Sequence, residues 1–253
     1  MISNLWAWLT SAENWAGSDG IAARLVEHLW ISGLVVLIAA AIAIPLGLWV
    51  GHTGRGRWLV SATNAARAVP TLGLLFALAL WVGPIIPGRA AFVIPSIIAL
   101  VLLAIPPIVA GTYAGVEAVD PAARDAAAGV GMRPSQVLWQ VEVPCALPLI
   151  WSGIRSAVLQ VIATATIAAY IGLGGLGRFL IDGLAAGDYP QTAGGALLVS
   201  VLALVADGVF ATMQRVIVSP GISGRSTRRR EIVLAPGKPD ASDGVGPVRT
   251  MSA

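Results

Sequence analysis

The chain has 253 residues, of which 57% are hydrophobic and only 11% are charged, and its formal net charge is +3. Charges this sparse cannot cover the surface of a soluble protein of that length, so lipid must solvate much of the chain. The basic residues are scattered between apolar stretches or gathered near the C-terminus, which argues against nucleic acid as a partner. The composition therefore predicts an all-α polytopic protein embedded in membrane lipid.

The first 28 residues are predicted to form an interfacial segment. Tryptophans alternate with polar residues there and just beyond, at Trp6, Trp8, Trp15 and Trp30. An indole ring at the membrane surface keeps its N–H in water and its body in lipid. A partly ordered terminus is the alternative.

Five apolar stretches are predicted to cross the membrane as helices: 29–50, 58–82, 92–116, 148–171 and 189–213. At about 1.5 Å per residue each can cross a hydrocarbon core of about 30 Å. Arg67 and Pro70 interrupt the second stretch. The third contains three prolines, tolerated where neighbouring spans satisfy the freed carbonyls. Residues 29–218 are thus predicted to form one transmembrane domain.

The arginines predict the orientation. On the side of the predicted disordered tail, 219–253, lie Arg55, Arg57, Arg124, Arg133, Arg215 and the tail's own arginines; the other side has Arg24, Arg89 and Arg178. Cytoplasmic loops carry an excess of basic residues. We therefore expect a multi-pass protein of the cell membrane with its N-terminus outside and its C-terminus inside.

The longest polar segment between spans, 117–142, is predicted to be a cytoplasmic helical hairpin. Asp120 can cap a helix that begins at Pro121, Gly131 permits a tight turn, and Pro134 can open a second short helix. Such a unit protrudes from the membrane and can dock on a partner.

The hairpin also carries a spaced motif made of Asp125, Ala126, Ala127, Gly131, Val141, Val143 and Pro144. This spacing resembles the EAA loop of ABC importer permeases, with Asp125 in the place of the glutamate and the two valines in the aliphatic positions. The resemblance implies a type I (MetI-like) importer fold in which this loop couples to a cytoplasmic ATPase. It further implies two ATPase subunits, an extracytoplasmic substrate-binding protein, and a homodimer or a pairing with a second, similar permease.

Two further segments narrow the resemblance. Residues 66–73 read ARAVPTLG and residues 170–177 read YIGLGGLG, and both are similar to permeases for glycine betaine, choline, carnitine and related osmoprotectants. Methionine importer permeases share a similar arrangement, so another small solute stays open. An ion-gradient-driven secondary transporter is the alternative of a different class; it would want more carboxylates within the membrane.

Several residues are candidates for the translocation path or a gate: Arg67, Pro70, Gly172, Gly174, Gly175 and Gly177. Close packing of backbones explains the glycines equally well. They also match a dinucleotide fingerprint, but the βαβ context that this fingerprint requires is missing. Arg155 and Asp207 are expected to form a structural ion pair near the cytoplasmic side of the membrane.

The sequence contains no Walker A motif, catalytic triad or metal-binding motif, so no catalytic or metal-ligating residue is predicted. We expect a transport subunit that binds no cofactor, with ATP bound by its partner subunits.

Overall fold

The computed structural model describes residues 2–217, and the predicted tail, 219–253, lies outside the described residues. Eleven α-helices follow one another within that range: α1 Ile2–Thr10, α2 Ala12–Trp15, α3 Ile21–Thr53, α4 Arg57–Ala65, α5 Thr71–Val82, α6 Ala90–Glu117, α7 Pro121–Gly129, α8 Pro134–Val137, α9 Val143–Ala168, α10 Gly177–Ala186 and α11 Tyr189–Ile217. Short 3-10 turns occupy Ala66–Ala68, Gly83–Ile85 and Ala169–Ile171, and a π-helical segment occupies Leu138–Glu142. Residues 2–217 contain no β-strand, which confirms the all-α class.

The five predicted apolar stretches correspond to four continuous helices and one broken one. Helices α3, α6, α9 and α11 are long and apolar enough to cross a membrane, whereas α4 and α5 meet at a bend of 94°. Pro70 explains the break because the residue before a proline avoids helical backbone, and Val69 is extended, with φ −71° and ψ 125°.

Two helices start five or more residues earlier than the sequence predicted. Helix α3 begins at Ile21 rather than at residue 29, because Arg24 and Glu27 neutralise each other across a 2.8 Å contact and the helix continues through both. Helix α9 begins at Val143 rather than at residue 148, because it directly continues a helical run that starts at Pro134 in the polar segment. The boundary predicted after residue 28 therefore falls inside a helix.

Glycine-lined contacts hold α3 against α6. A Cβ on Gly47 would lie 2.6 Å from the Cβ of Thr112, and one on Gly51 would lie 2.7 Å from the Cβ of Val116. Both contacts are too short for any real side chain. Small residues four apart allow membrane helices to approach closely, so this pattern positions α3 on α6.

The same pattern holds α6 against α9. A Cβ on Gly111 would lie 2.6 Å from the carbonyl oxygen of Leu149, and one on Gly115 would lie 2.9 Å from that of Ala146. Helix α6 is thus packed between α3 and α9 at the centre of the bundle.

A neighbouring helix satisfies a carbonyl that a proline frees, as predicted. Pro107 cannot donate to the carbonyl of Leu103 four residues earlier. Gln160 of α9 donates its Nε2–H to that oxygen instead, at 3.0 Å. This bond explains how α6 continues through the proline without losing a buried hydrogen bond.

The bundle has two ends. We call the end that carries α7 and α8 the hairpin end; the last residues of α3, α6 and α11 lie there. At the opposite end α1 packs on α10 and α11: the Trp8 and Phe179 rings lie 5.3 Å apart, edge to face.

Candidate functional site

The hairpin at the hairpin end is built by local signals. The Asp120 carboxylate accepts from the Ala122 N–H at 2.9 Å and caps α7, with Pro121 in the first turn. The helix ends where the Met132 N–H donates to the Ala127 carbonyl at 3.1 Å, with Gly131 at φ +88°. This is a Schellman turn, which requires a left-handed residue at the position of Gly131. The predicted helical hairpin is confirmed.

The motif residues divide between the hairpin and the span that follows. Asp125, Ala126 and Gly131 are exposed, whereas Ala127 is buried. The last three motif residues do not lie in a loop. Val141 lies in the π-helical segment, and Val143 and Pro144 begin α9. The hairpin is therefore joined to α9 without a flexible linker.

Two apolar side chains on this unit are unusually exposed. Val130, beside the turn, is 79% exposed, and Trp139, in the π-helical segment, is 62% exposed. Both side chains lie outside the five predicted membrane stretches and are free to contact another protein. The sequence does not predict a role for either residue, because neither belongs to the spaced motif.

A buried carboxylate lies where the hairpin joins the bundle. The Glu142 side chain is only 2% exposed, with its Oε2 2.7 Å from His52 Nδ1 and its Oε1 2.9 Å from Arg124 Nε. Arg124 also donates to the carbonyl of Val116, at the end of α6. We call Glu142, His52 and Arg124 the hairpin root. No motif predicts this cluster, because His52 and Glu142 are 90 residues apart in the chain.

An exposed group of polar side chains lies nearby. The Arg57 guanidinium contacts Glu117, and the Tyr113 hydroxyl donates to the same carboxylate at 2.7 Å. The Arg57 and Glu117 side chains are 64% and 48% exposed. Water screens such pairs, so this one contributes little to stability.

The glycine stretch 172–177 lies at the opposite end, against α3. The Gly175 N–H donates to Glu27 Oε2 at 2.8 Å, and Arg24 and Arg89 hold the same carboxylate at 2.8 and 3.0 Å. Gly175 has φ +79°, and a Cβ there would lie 2.8 Å from His28 Nδ1.

The remaining glycines of this stretch differ in their surroundings. Gly174 packs against the Glu27 carboxylate and Gly177 against the carbonyl of Thr166, both too closely for a Cβ. Gly172 has a left-handed backbone, with φ +96°. These contacts favour close packing as the reason for the glycines.

Arg67 and Pro70 lie at the broken span. Arg67 is in the 3-10 turn between α4 and α5, and both residues are exposed on the isolated chain. The structure does not bring them together with the hairpin root.

The predicted ion pair between α9 and α11 is present. Arg155 Nε and Nη2 donate to the two carboxylate oxygens of Asp207 at 2.6 and 2.7 Å. Trp151 donates its indole N–H to the carbonyl of Phe210 at 2.9 Å, one turn further toward the hairpin end. These bonds attach α11 to the bundle.

The membrane-length helices and the broken span of residues 2–217 define a polytopic membrane protein with a polar hairpin at one end. The model of the family "Binding-protein-dependent transport system inner membrane component" matches residues 43–221. The chain therefore belongs to this family of inner-membrane transport components and is a transport subunit rather than an enzyme.

Relatives of known role agree with this assignment. The chain is 36% identical to the osmoprotectant import permease protein OsmW of Salmonella typhimurium, over 80% of this chain and 94% of that protein. It is 32% identical to the glycine betaine/carnitine/choline transport system permease protein OpuCB of Bacillus subtilis, over 78% of this chain and 88% of that protein.

Among solved structures, an inward-facing MetNI methionine ABC transporter chain matches with a TM-score of 0.69 at 18% identity, over 79% of this chain and 96% of that chain. A chain of an amino acid ABC transporter crystallised with histidines matches with a TM-score of 0.63 at 20% identity, over 77% and 92% of the two chains. These similarities support the fold.

Proposed function

We propose that this chain is the permease subunit of an ATP-driven importer for osmoprotectants such as glycine betaine, choline and carnitine. The hairpin carries the proposal: its motif is in register, its bend is a left-handed glycine, and it is joined directly to α9. The names of the relatives supply the substrate class.

The hairpin would couple the chain to its ATPases. Val130 and Trp139 offer apolar surface for a groove on each ATPase subunit, and two copies of that subunit would bind and hydrolyse ATP. ATP binding would close the ATPases and move the hairpins, and hydrolysis would reset them.

A conduit needs a second permease. The described helices pack closely around α6, so a hydrated path is better formed between two such chains, either two copies or this chain with a similar one. An extracytoplasmic binding protein would deliver the solute. The hairpin end then faces the cytoplasm, with the N-terminus outside and the C-terminus inside, as the arginines predict.

The path candidates take different parts in this scheme. Arg67 and Pro70 lie exposed at the broken span, where a second permease or the conduit would face them. Gly174 and Gly175 allow the loop after α9 to lie against Glu27 and His28, while Gly172 and Gly177 shape the two ends of the same stretch. The path would close on the outside at this stretch.

The test is to extract the permease from the membranes of its own organism in detergent, purify it and identify the proteins that stay bound. The complex would then be placed in vesicles with ATP inside, and uptake of labelled glycine betaine, choline, carnitine and methionine measured. We expect a retained ATPase and ATP-dependent uptake of one or more of the first three solutes. Methionine uptake alone would refute the substrate class; uptake driven by an ion gradient without ATP would refute the mechanism.

A further inference from the structure

We infer that Glu142 is a positioning residue that fixes the hairpin to the spans, so that movement of the hairpin is transmitted to α3 and α9. The inference deepens the proposed function and rests on it for the transport step. It comes from the hairpin root, where one carboxylate is shared by groups from separate parts of the chain.

The contacts of Glu142 define what it joins. Its carboxylate lies 2.7 Å from His52 Nδ1 at the end of α3 and 2.9 Å from Arg124 Nε on α7. Glu142 itself directly precedes α9. Because Arg124 also donates to the carbonyl of Val116, the root joins the hairpin to α3, α6 and α9.

Burial makes these contacts hard to exchange for water. The Glu142 side chain is 2% exposed, and those of His52 and Arg124 are 23% and 28% exposed. A buried carboxylate that loses its cation is left uncompensated, whereas an exposed pair can separate at little cost. The hairpin therefore has a preferred orientation relative to the spans.

The π-helical segment Leu138–Glu142 sets the rotation of the hairpin about α9. A π turn holds one residue more than an α turn, and such segments are frequently found at functional sites. Relaxation to α geometry would rotate the preceding hairpin about α9 by about 100°, the angle per residue of an α-helix. The contacts of Glu142 with Arg124 and His52 hold the register that keeps its carboxylate inside.

The chain offers a matched control at the same end. Arg57 and Glu117 also join two helices through an ion contact close to the hairpin root, but both are exposed, and they lie on α4 and at the end of α6, outside α7 and α8. Glu117→Gln should change neither hairpin order nor coupling.

The first test uses the permease alone in detergent and does not depend on its substrate. Backbone hydrogen exchange would be followed in wild type, Glu142→Gln and Glu117→Gln. We expect Glu142→Gln to speed exchange of residues 121–137 about fivefold or more while α6 keeps its wild-type protection. Unchanged exchange in the hairpin, or an equal rise in α6, would overturn the inference.

The second test separates positioning from stability in the reconstituted importer. Arg124→Gln with Glu142→Gln removes both charges, so no buried charge stays unpaired, and abundance should recover relative to either single variant. We expect the glycine betaine, choline or carnitine taken up per ATP hydrolysed to stay about fivefold or more below wild type. Recovery of this ratio together with abundance would show a merely structural role. If the wild-type importer retains no ATPase, the proposed function fails, and the exchange measurement still decides whether Glu142 orders the hairpin.

Discussion

Substitution of the glycine at the hairpin bend tests the coupling function most directly. Gly131 has φ +88°, and a Cβ there would meet no atom within 4 Å. An arginine at this position thus causes no clash within the chain but must adopt a left-handed backbone, at a cost of about 1–2 kcal/mol. The strain falls on the Schellman turn, which is exposed and outside the packed helices.

Gly129 provides the matched control, two residues earlier in the same hairpin. It is the last residue of α7, and a Cβ on it would also meet no atom within 4 Å. Gly129→Arg adds the same side chain without left-handed strain. Replacement of a helical glycine also stabilises the helical conformation of α7 by up to about 1 kcal/mol. Comparison of the two variants separates turn conformation from bulk and charge.

The assay measures abundance in membranes, ATPase retained on purification, and uptake with ATP hydrolysis in vesicles. We expect Gly131→Arg to reach wild-type abundance but to lose about tenfold in ATPase affinity or in uptake, because about 1.4 kcal/mol corresponds to a factor of ten. Gly131→Asn should lose less, since asparagine tolerates the left-handed region.

Two results would refute this reasoning. Wild-type uptake and ATPase retention in Gly131→Arg would mean that the bend does not carry the coupling. An equal defect in Gly129→Arg would mean that the added side chain, rather than the backbone of the turn, causes the loss.

Three other predictions address the rest of the chain. Cysteines at Gly54 and Gly88, both left-handed glycines in open space, should differ in reaction with an impermeant outside reagent: only the one at Gly88 should be labelled, and labelling at Gly54 would contradict the orientation. Gly175→Ala should lower the thermal stability in detergent more than Gly187→Ala does. Both positions have positive φ, but only a Cβ at Gly175 would meet a neighbouring imidazole, which adds about 1–3 kcal/mol to the loss of folding free energy. Equal thermal stability of the two variants would count against close packing. Arg67→Ala should lower uptake more than abundance, whereas an equal loss of both would make Arg67 a structural brace.

The sequence predicted features that depend on neighbouring residues. The apolar stretches located the four continuous membrane-length helices and the bent pair α4–α5. Pro70 marked the break in that pair because a proline acts on the residue just before it. The hairpin followed from a cap at Asp120 and a glycine at Gly131, whose effects extend over only a few residues.

Helix boundaries are less predictable, because a charged residue in the sequence predicts a segment in water rather than in the membrane. Arg24 and Glu27 predict a first span that begins after them, yet each has a partner, and α3 includes both. Sequence alone does not reveal such partners: Arg89 lies more than 60 residues later, in the turn before α6. The sequence also does not distinguish between gating and close packing as the role of the glycines at 172–177. Their contacts with Glu27 and His28 in the structure favour close packing.

The two carboxylate sites that the sequence did not predict both include a residue of α3. At the opposite end, Glu27 of α3 accepts the Gly175 N–H from the loop after α9. At the hairpin end, His52 of α3 lies against Glu142, which directly precedes α9. Helix α3 is thus attached near both of its ends to segments that flank α9. A displacement of the hairpin that moves α3 and α9 relative to each other must therefore also act on the glycine stretch, which lies where the path would close on the outside.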